Sequence, residues 1–155
     1  MKVRVQRKGI EFTDYVYVSS IALMTISEYR KYKEFIPEVS VNKKTYWWWL
    51  RCPGKFNDLG TVVDFMGEIL TDDVVVDEKD IFVRPIIYLD LDSNLRVGDK
   101  FKTKTKSWTM IHPFITICDD FIGTHCFNFS IDKGDNYYLS DIKDFIENWW
   151  ETEEN

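Results

Sequence analysis

The chain has 155 residues, 45% hydrophobic and 30% charged, with a net charge of −6 at pH 7 and a pI near 5.0, proportions that predict an ordinary globular protein with one core. This balance disfavours a nucleic-acid groove, which needs Lys and Arg to displace phosphate counterions, while 26 acidic against 20 basic residues is too mild an excess for a DNA mimic. No apolar run approaches the ~20 residues that cross a bilayer, no leader is read at the N-terminus, and Cys52, Cys118 and Cys126 lack disulfide or zinc spacing, so a cytoplasmic protein without cofactor, metal or membrane contact is expected.

Apolar and polar residues alternate on either side of Lys8-Gly9, from Val3 and Val5 to Ile10, Phe12, Tyr15 and Tyr17, which predicts a hairpin or two short strands. Thr25-Ile26-Ser27-Glu28 is a capping box with Met24 and Tyr29 at the staple positions, and it opens a helix over 26–36 that Pro37 ends. A polar loop over 38–44 leads to Tyr46-Trp47-Trp48-Trp49-Leu50-Arg51-Cys52-Pro53-Gly54, which holds half of the six tryptophans. In a strand Trp47 and Trp49 share one face and Trp48 takes the other, so both faces need cover.

After a loop over 52–60, the strands Thr61 to Met66 and Ile69-Leu70 flank Gly67-Glu68 as a two-residue hairpin turn. An acidic loop follows to Asp80. The segment from Ile81 to Leu89 is predicted as one strand with Pro85 at an edge or bulge. Asp90 to Gly98 is a linker or turn, Lys100 to Thr105 and Ser107 to Ile111 a hairpin, Phe114 to Cys118 a short strand, and Asp132 to Asn136 a polar loop. Ser140 caps a final helix over 141–152, whose Ile142, Phe145, Ile146, Trp149 and Trp150 form an apolar stripe at i, i+3, i+4, i+7 and i+8. The expected class is α+β, a small twisted and mostly antiparallel sheet with two flanking helices.

The tryptophan strand through Gly54, then Val62-Val63-Asp64 before Gly67, and Val83-Arg84-Pro85-Ile86-Ile87, resemble the W-W-L-R-S-P-G and G-V-R-P-A-L motifs of an uncharacterised family of gut bacteria and phages. Leu23 to Tyr32 is similar to its L-L-S-x-x-E-Y-x-x-Y helix. Gly98 to Phe101, Trp108 to Ile111, Phe127-Asn128 and Ser140 to Ile146 resemble the segment with which most members begin, so the chain reads as a circular permutation. That order makes 1–155 one domain, with 1–90 as the helix and tryptophan half and 98–155 as the permuted half. Cys52 replaces the usual serine, and the glycine and alanine of the second motif are missing. The resemblance implies a C-type-lectin-like, formylglycine-generating-enzyme-like fold with irregular binding loops, and no activity.

Arg51 and Arg84 each lie inside a strand close to a proline, where a guanidinium needs a carboxylate or several carbonyls; they either pin loops or hold a ligand anion. Cys118, Asp119, His125 and Cys126 are the residue types of a thiol nucleophile with its base, but positions 125 and 126 point to opposite faces of a strand. Asp90-Leu91-Asp92-Ser93-Asn94 starts like a calcium loop, yet Leu95 and Phe101 stand where glycine and glutamate are needed. Phe56-Asn57-Asp58 is similar to the W-N-D of lectin calcium sites without its partner motif, and no cysteine pair for copper is evident.

The acidic residues Asp72, Asp73, Asp77, Glu78 and Asp80 form either a solvated loop or a contact patch for a basic protein, with Phe56, Tyr137, Tyr138 and Trp150 as candidate anchors. The leading expectation is a non-enzymatic phage or mobile-element protein that binds a macromolecule through Phe56, Asn57, Asp58 and this acidic run. Its partner would be a basic host nucleic-acid-binding protein, such as a CRISPR effector that it inhibits, in the cytoplasm of an infected or lysogenic bacterium. The alternatives are a small-ligand-binding or enzymatic domain with Arg51 and Arg84 in a pocket, and a structural or host-recognition component of a phage particle.

Overall fold

Lys8 and Gly9 both take positive φ, 46° and 81°, the turn whose twist suits a two-residue hairpin. It joins β1 (Lys2–Arg7) to β2 (Ile10–Tyr15) in antiparallel register. The structure is a computed structural model that describes residues 1–39 and 46–154; from residue 40 on, the expected loop over 38–44 lies outside the described residues. After β3 (Val18–Ala22) the capping box forms, with the Glu28 amide donating to Thr25 Oγ1 at 3.1 Å and the Thr25 amide to Glu28 Oε1 at 2.8 Å. α1 (Ile26–Tyr32) then tightens into a 3₁₀ turn at Lys33–Phe35, just before Pro37.

The later strands are β4 (Trp48–Pro53), β5 (Leu59–Val63), β6 (Ile69–Val75), β7 (Phe82–Val83), β8 (Ile86–Leu89), β9 (Lys100–Lys102), β10 (Ser107–His112), β11 (Ile115–Cys118) and β12 (Gly123–Thr124), followed by α2 (Asp141–Glu153). They build an α+β body with two sheets where the sequence predicted one. The larger, antiparallel sheet runs β2-β1-β9-β10-β11-β8-β3; the smaller runs β12-β7-β4-β5-β6 and is antiparallel except for β4 beside β7. In the larger sheet β1 pairs with β9, and β8 lies between β3 and β11, so strands from both halves of the chain share one layer.

Three local departures from the sequence reading have local causes. The single strand expected over Ile81 to Leu89 is two, because Pro85 has no N–H for a ladder and restricts Arg84 before it; the chain leaves the smaller sheet at Val83 and enters the larger at Ile86. β5 stops at Val63, because Asp64 Oδ1 accepts the amides of Met66 and Glu68, both at 2.9 Å, and curls the chain into a turn at Gly67, φ 82°. β6 then continues through Asp72 and Asp73 to Val75, with an irregular register between Leu70 and Val74. Part of the expected acidic loop is therefore an edge strand.

The tryptophan strand is covered on both faces. Trp49 lies in one cluster with Trp108, Phe127 and the α2 residues Ile142, Ile146 and Trp150, and Trp47 packs against it. Trp48 lies in a second cluster with Leu50, Ile86 and the α1 residues Tyr29 and Tyr32. On α2, Phe145 and Trp149 are half-buried flanks of the stripe. Glu153, which no sequence pattern singled out, is buried; its carboxylate accepts from Thr103 Oγ1 and Thr105 Oγ1, both at 2.6 Å, and from the amides of Thr105 and Lys106. This fastens the end of α2 to the turn between β9 and β10.

Two stability predictions follow from this packing. A Cβ at Gly60 would collide with the six-membered ring of the wholly buried Trp49, so Gly60→Ala is expected to lower stability by about 1–3 kcal/mol in denaturant unfolding; an unchanged midpoint would contradict the packing. Burial pushes the Glu153 pKa up, but its hydrogen bonds outweigh this and hold it below the ordinary 4.5. A folded pKa below the unfolded one gives stability that is present above about pH 4.5 and is lost as the pH falls through the lower folded value. Glu153→Gln is expected to cost about 2 kcal/mol at pH 7 and progressively less on acidification, and parallel stability curves from pH 7 to pH 3 would refute this.

Candidate functional site

β4 ends where its loop folds tightly against β6. A Cβ at Gly54 would meet Leu59 O at 2.5 Å and Thr71 O at 2.8 Å, so only glycine lets the loop close this far. The Gly54 amide bonds Leu59 O at 3.1 Å, the Lys55 amide bonds Thr71 O at 2.7 Å, and the Leu59 amide closes a turn on Phe56 O at 3.0 Å. That turn leaves Phe56 60% exposed.

Two further loops are stitched to this one. The Val76 amide donates to Asp58 O at 2.9 Å, and the Asn128 amide donates to Val76 O at 2.9 Å. Asn128 is wholly buried and uses both ends of its side chain: Nδ2 donates to Gly134 O at 2.6 Å, and Oδ1 accepts the Asp141 amide at 2.9 Å. It folds the segment between Asn128 and α2 back on itself. Phe129 (69%), Tyr138 (70%) and Leu139 (71%) stand exposed along this segment, which approaches the Phe56 loop where Gly134 abuts Asn57 O and where Tyr138 shares a cleft with Cys52 and Pro53.

The structure thus brings Phe56, Asn57 and Asp58 together with Asp77, whose neighbour Val76 links the loops, and places Asp72 and Asp73 on the adjoining edge strand. Glu78 and Asp80 form the next turn, in which Glu78 Oε1 accepts the Asp80 amide at 3.1 Å. Asp135 joins the group unforeseen: burial raises its pKa, the Gly54 amide opposes this, and the nearby Asp58 charge raises it further. Among the described residues none of these carboxylates makes an ion pair, whereas Asp99, Asp119 and Asp141 are each paired.

Of the candidate anchors, Phe56 and Tyr138 are exposed, while Tyr137 and Trp150 are core. Phe129 and Leu139 were missed. Their signal in the sequence is weak, two apolar residues among polar ones in a segment with no periodicity.

The two arginines occupy separate clefts. Arg51 Nη2 donates to Tyr88 OH at 2.9 Å and stands 3.7 Å from Glu28 Oε1, while Tyr88 OH donates to Glu28 Oε2 at 2.5 Å. Burial, then the Glu28 hydrogen bond, raise the Tyr88 pKa, so its hydroxyl stays protonated. Arg51 lines an opening of about 350 Å³ with Cys52, Asp135 and Tyr138. Arg84 donates from Nε to Cys118 O at 2.8 Å and from Nη2 to Pro37 O at 2.7 Å, and lines a different cleft of about 260 Å³.

Of the thiol candidates, His125 and Cys126 meet, but His125 Nδ1 lies closer to Cys126 O, at 2.5 Å, than to the sulfur. Asp119 bonds Thr109 Oγ1 and Lys100 Nζ, and Cys118 O accepts from Arg84. His125 stacks on Phe145 at 4.5 Å, with Nδ1 3.9 Å from the buried Cys126 sulfur, and burial raises the Cys126 pKa. Burial pushes the Cys118 thiol up to about 12. Among the described residues no group of three His, Cys, Asp or Glu residues could hold a metal ion, and no helix is long and apolar enough to cross a membrane. Compared with protein-family models, curated proteins and solved structures, the chain gives no match.

Thiol chemistry follows directly from this placement. Native protein treated with Ellman's reagent at about pH 8 is expected to react rapidly at the half-exposed Cys52 alone, with Cys118 and Cys126 released only by denaturant. Rapid native reaction of either buried thiol would show a reactive cysteine that the packing does not provide.

Proposed function

We propose that this chain is a binding protein, not an enzyme, and that it docks a basic protein partner on the surface formed by the loops around Phe56, Asp77 and Tyr138. The observation that carries the reading is the concentration there of carboxylates that have no ion-pair partner among the described residues, from Asp58 and Asp77 to Asp135, around exposed aromatic side chains. Unpaired carboxylates steer a cationic partner and select it by charge, while aromatic side chains give the contact its lifetime. An α+β body with irregular loops at one end is also in keeping with a C-type-lectin-like fold of the phage family that the motifs resemble. A basic nucleic-acid-binding host protein, such as a defence nuclease met in the bacterial cytoplasm, has the charge this surface calls for.

The test starts with pull-down from a bacterial host and continues with each captured protein purified and titrated. The joint variant Asp72→Lys, Asp73→Lys, Asp77→Lys is expected to slow association and weaken binding by about ten- to a hundredfold, with affinity also falling as salt rises. Phe56→Ala with Tyr138→Ala is expected to speed dissociation about tenfold. Partners held equally well by both variants would sink this surface.

A further inference from the structure

The side chain left at the crossing between the two sheets is a guanidinium. Arg84 is 3% exposed, and its two protein acceptors, Cys118 O and Pro37 O, are neutral carbonyls. It lies over the Trp48 indole, 5.6 Å from the ring centroid. Among the described residues no carboxylate is within ion-pair distance. Asp119 and Asp120, whose charges act on it from further off, are turned to Lys100 at 3.2 Å and Lys106 at 4.0 Å. Burial brings the Arg84 pKa down to about 10, so the group is charged at neutral pH. A buried cation of this kind lacks a counter-charge.

Among the described residues the buried cation borders an opening. It lines the cleft of about 260 Å³ together with Tyr29, Lys33, Tyr46 and Trp48. Tyr29 OH and Lys33 Nζ both donate to Gly67 O, at 2.7 and 3.0 Å, which holds the cleft against the turn after β5 and keeps an ammonium at its mouth. Of the five N–H donors a guanidinium carries, two have partners among the described residues. Glu38 and Asp64 are also at the lining; neither is paired with Arg84 among the described residues, so they leave it without a direct counter-ion while their charge opposes a polyanion.

We propose that this cleft binds a small monocarboxylate with an aromatic or apolar body, the carboxylate taking the remaining donors of Arg84 with help from Lys33, and the body lying against Tyr46. A carboxylate matches the planar donor set of arginine, and the aromatic lining supplies apolar contact. The site is independent of the docking surface proposed above and stands or falls without it.

The test titrates the isotope-labelled full chain at about pH 7 with benzoate, acetate and inorganic phosphate, reading the Arg84 Nε–H and Trp48 Nε1–H resonances. Benzoate is expected to bind most tightly, acetate more weakly and phosphate weakest. Arg84→Lys is expected to weaken benzoate about tenfold, the loss of a charge-assisted hydrogen bond. Because Arg84 also joins two loops, the exposed Lys33→Ala is the control for folding: it is expected to keep the melting temperature and weaken benzoate several-fold. Absence of saturable shifts with all three anions, or benzoate affinity unchanged in Lys33→Ala, would overturn the site. Phosphate binding tighter than benzoate would overturn the carboxylate assignment.

Discussion

A strand with indoles on both faces cannot lie at a surface, and β4 imposes that condition on the rest of the chain. Trp49 and Trp48 point to opposite sides and each becomes part of a different buried cluster, so a layer is needed on each side of the smaller sheet. The two helices divide the work. α2 contributes Ile142, Ile146 and Trp150 to the Trp49 side, while α1 contributes Tyr29 and Tyr32 to the Trp48 side. Close packing leaves little tolerance: Gly60 lies flat against the Trp49 ring, and the indole N–H, which burial removes from water, donates to His125 O at 2.7 Å.

The junction between the two sheets follows from the same condition. A chain that must leave β7 beside the tryptophan strand and reappear as β8 in the other sheet needs a break in its ladder, and Arg84-Pro85 supplies it. The arginine then ties the crossing to two distant segments, the end of the α1 region through Pro37 and the end of β11 through Cys118. Arg51, in a different cleft, is handled differently. Its charge is met by Glu28 and by the Tyr88 hydroxyl, so the same carboxylate that caps α1 also fixes that helix to β4 and β8. Among the described residues one guanidinium has a carboxylate partner and the other has none, and this difference separates a structural arginine from a candidate binding group.

Local signals were the legible ones. The capping box at Thr25, the N-cap at Ser140, the Lys8-Gly9 turn and the two-sided tryptophan strand depend on residues within a few positions of each other, and all appear where the sequence puts them. The second sheet was not legible, because which strands pair is a long-range property: β1 with β9, or β8 between β3 and β11, leaves no trace in periodicity. Glu153 was missed for a related reason. A glutamate at a helix end reads as solvent-facing until the β9–β10 turn arrives with its hydroxyl and amide donors. Asp135 joined Asp58 only because Asn128 folds its loop back, and a buried asparagine in a polar segment cannot be told from an exposed one by its neighbours.

The aspartates of β6 carry two physical roles at once. β6 is the outer strand of the smaller sheet, and an exposed edge with Val75 37% accessible is a template for unwanted pairing. Adjacent charges at Asp72 and Asp73, set where the register is irregular, blunt that edge. Among the described residues they also form no ion pair, so their charges stay open to a cation from outside. Protection of the edge needs charge of either sign. The negative sign is therefore not set by edge protection, and with Lys55 over the Phe56 ring and Lys133 paired to Asp141 on the neighbouring loops, the carboxylates of β6 stand in a surface of mixed charge and not in a uniformly acidic one.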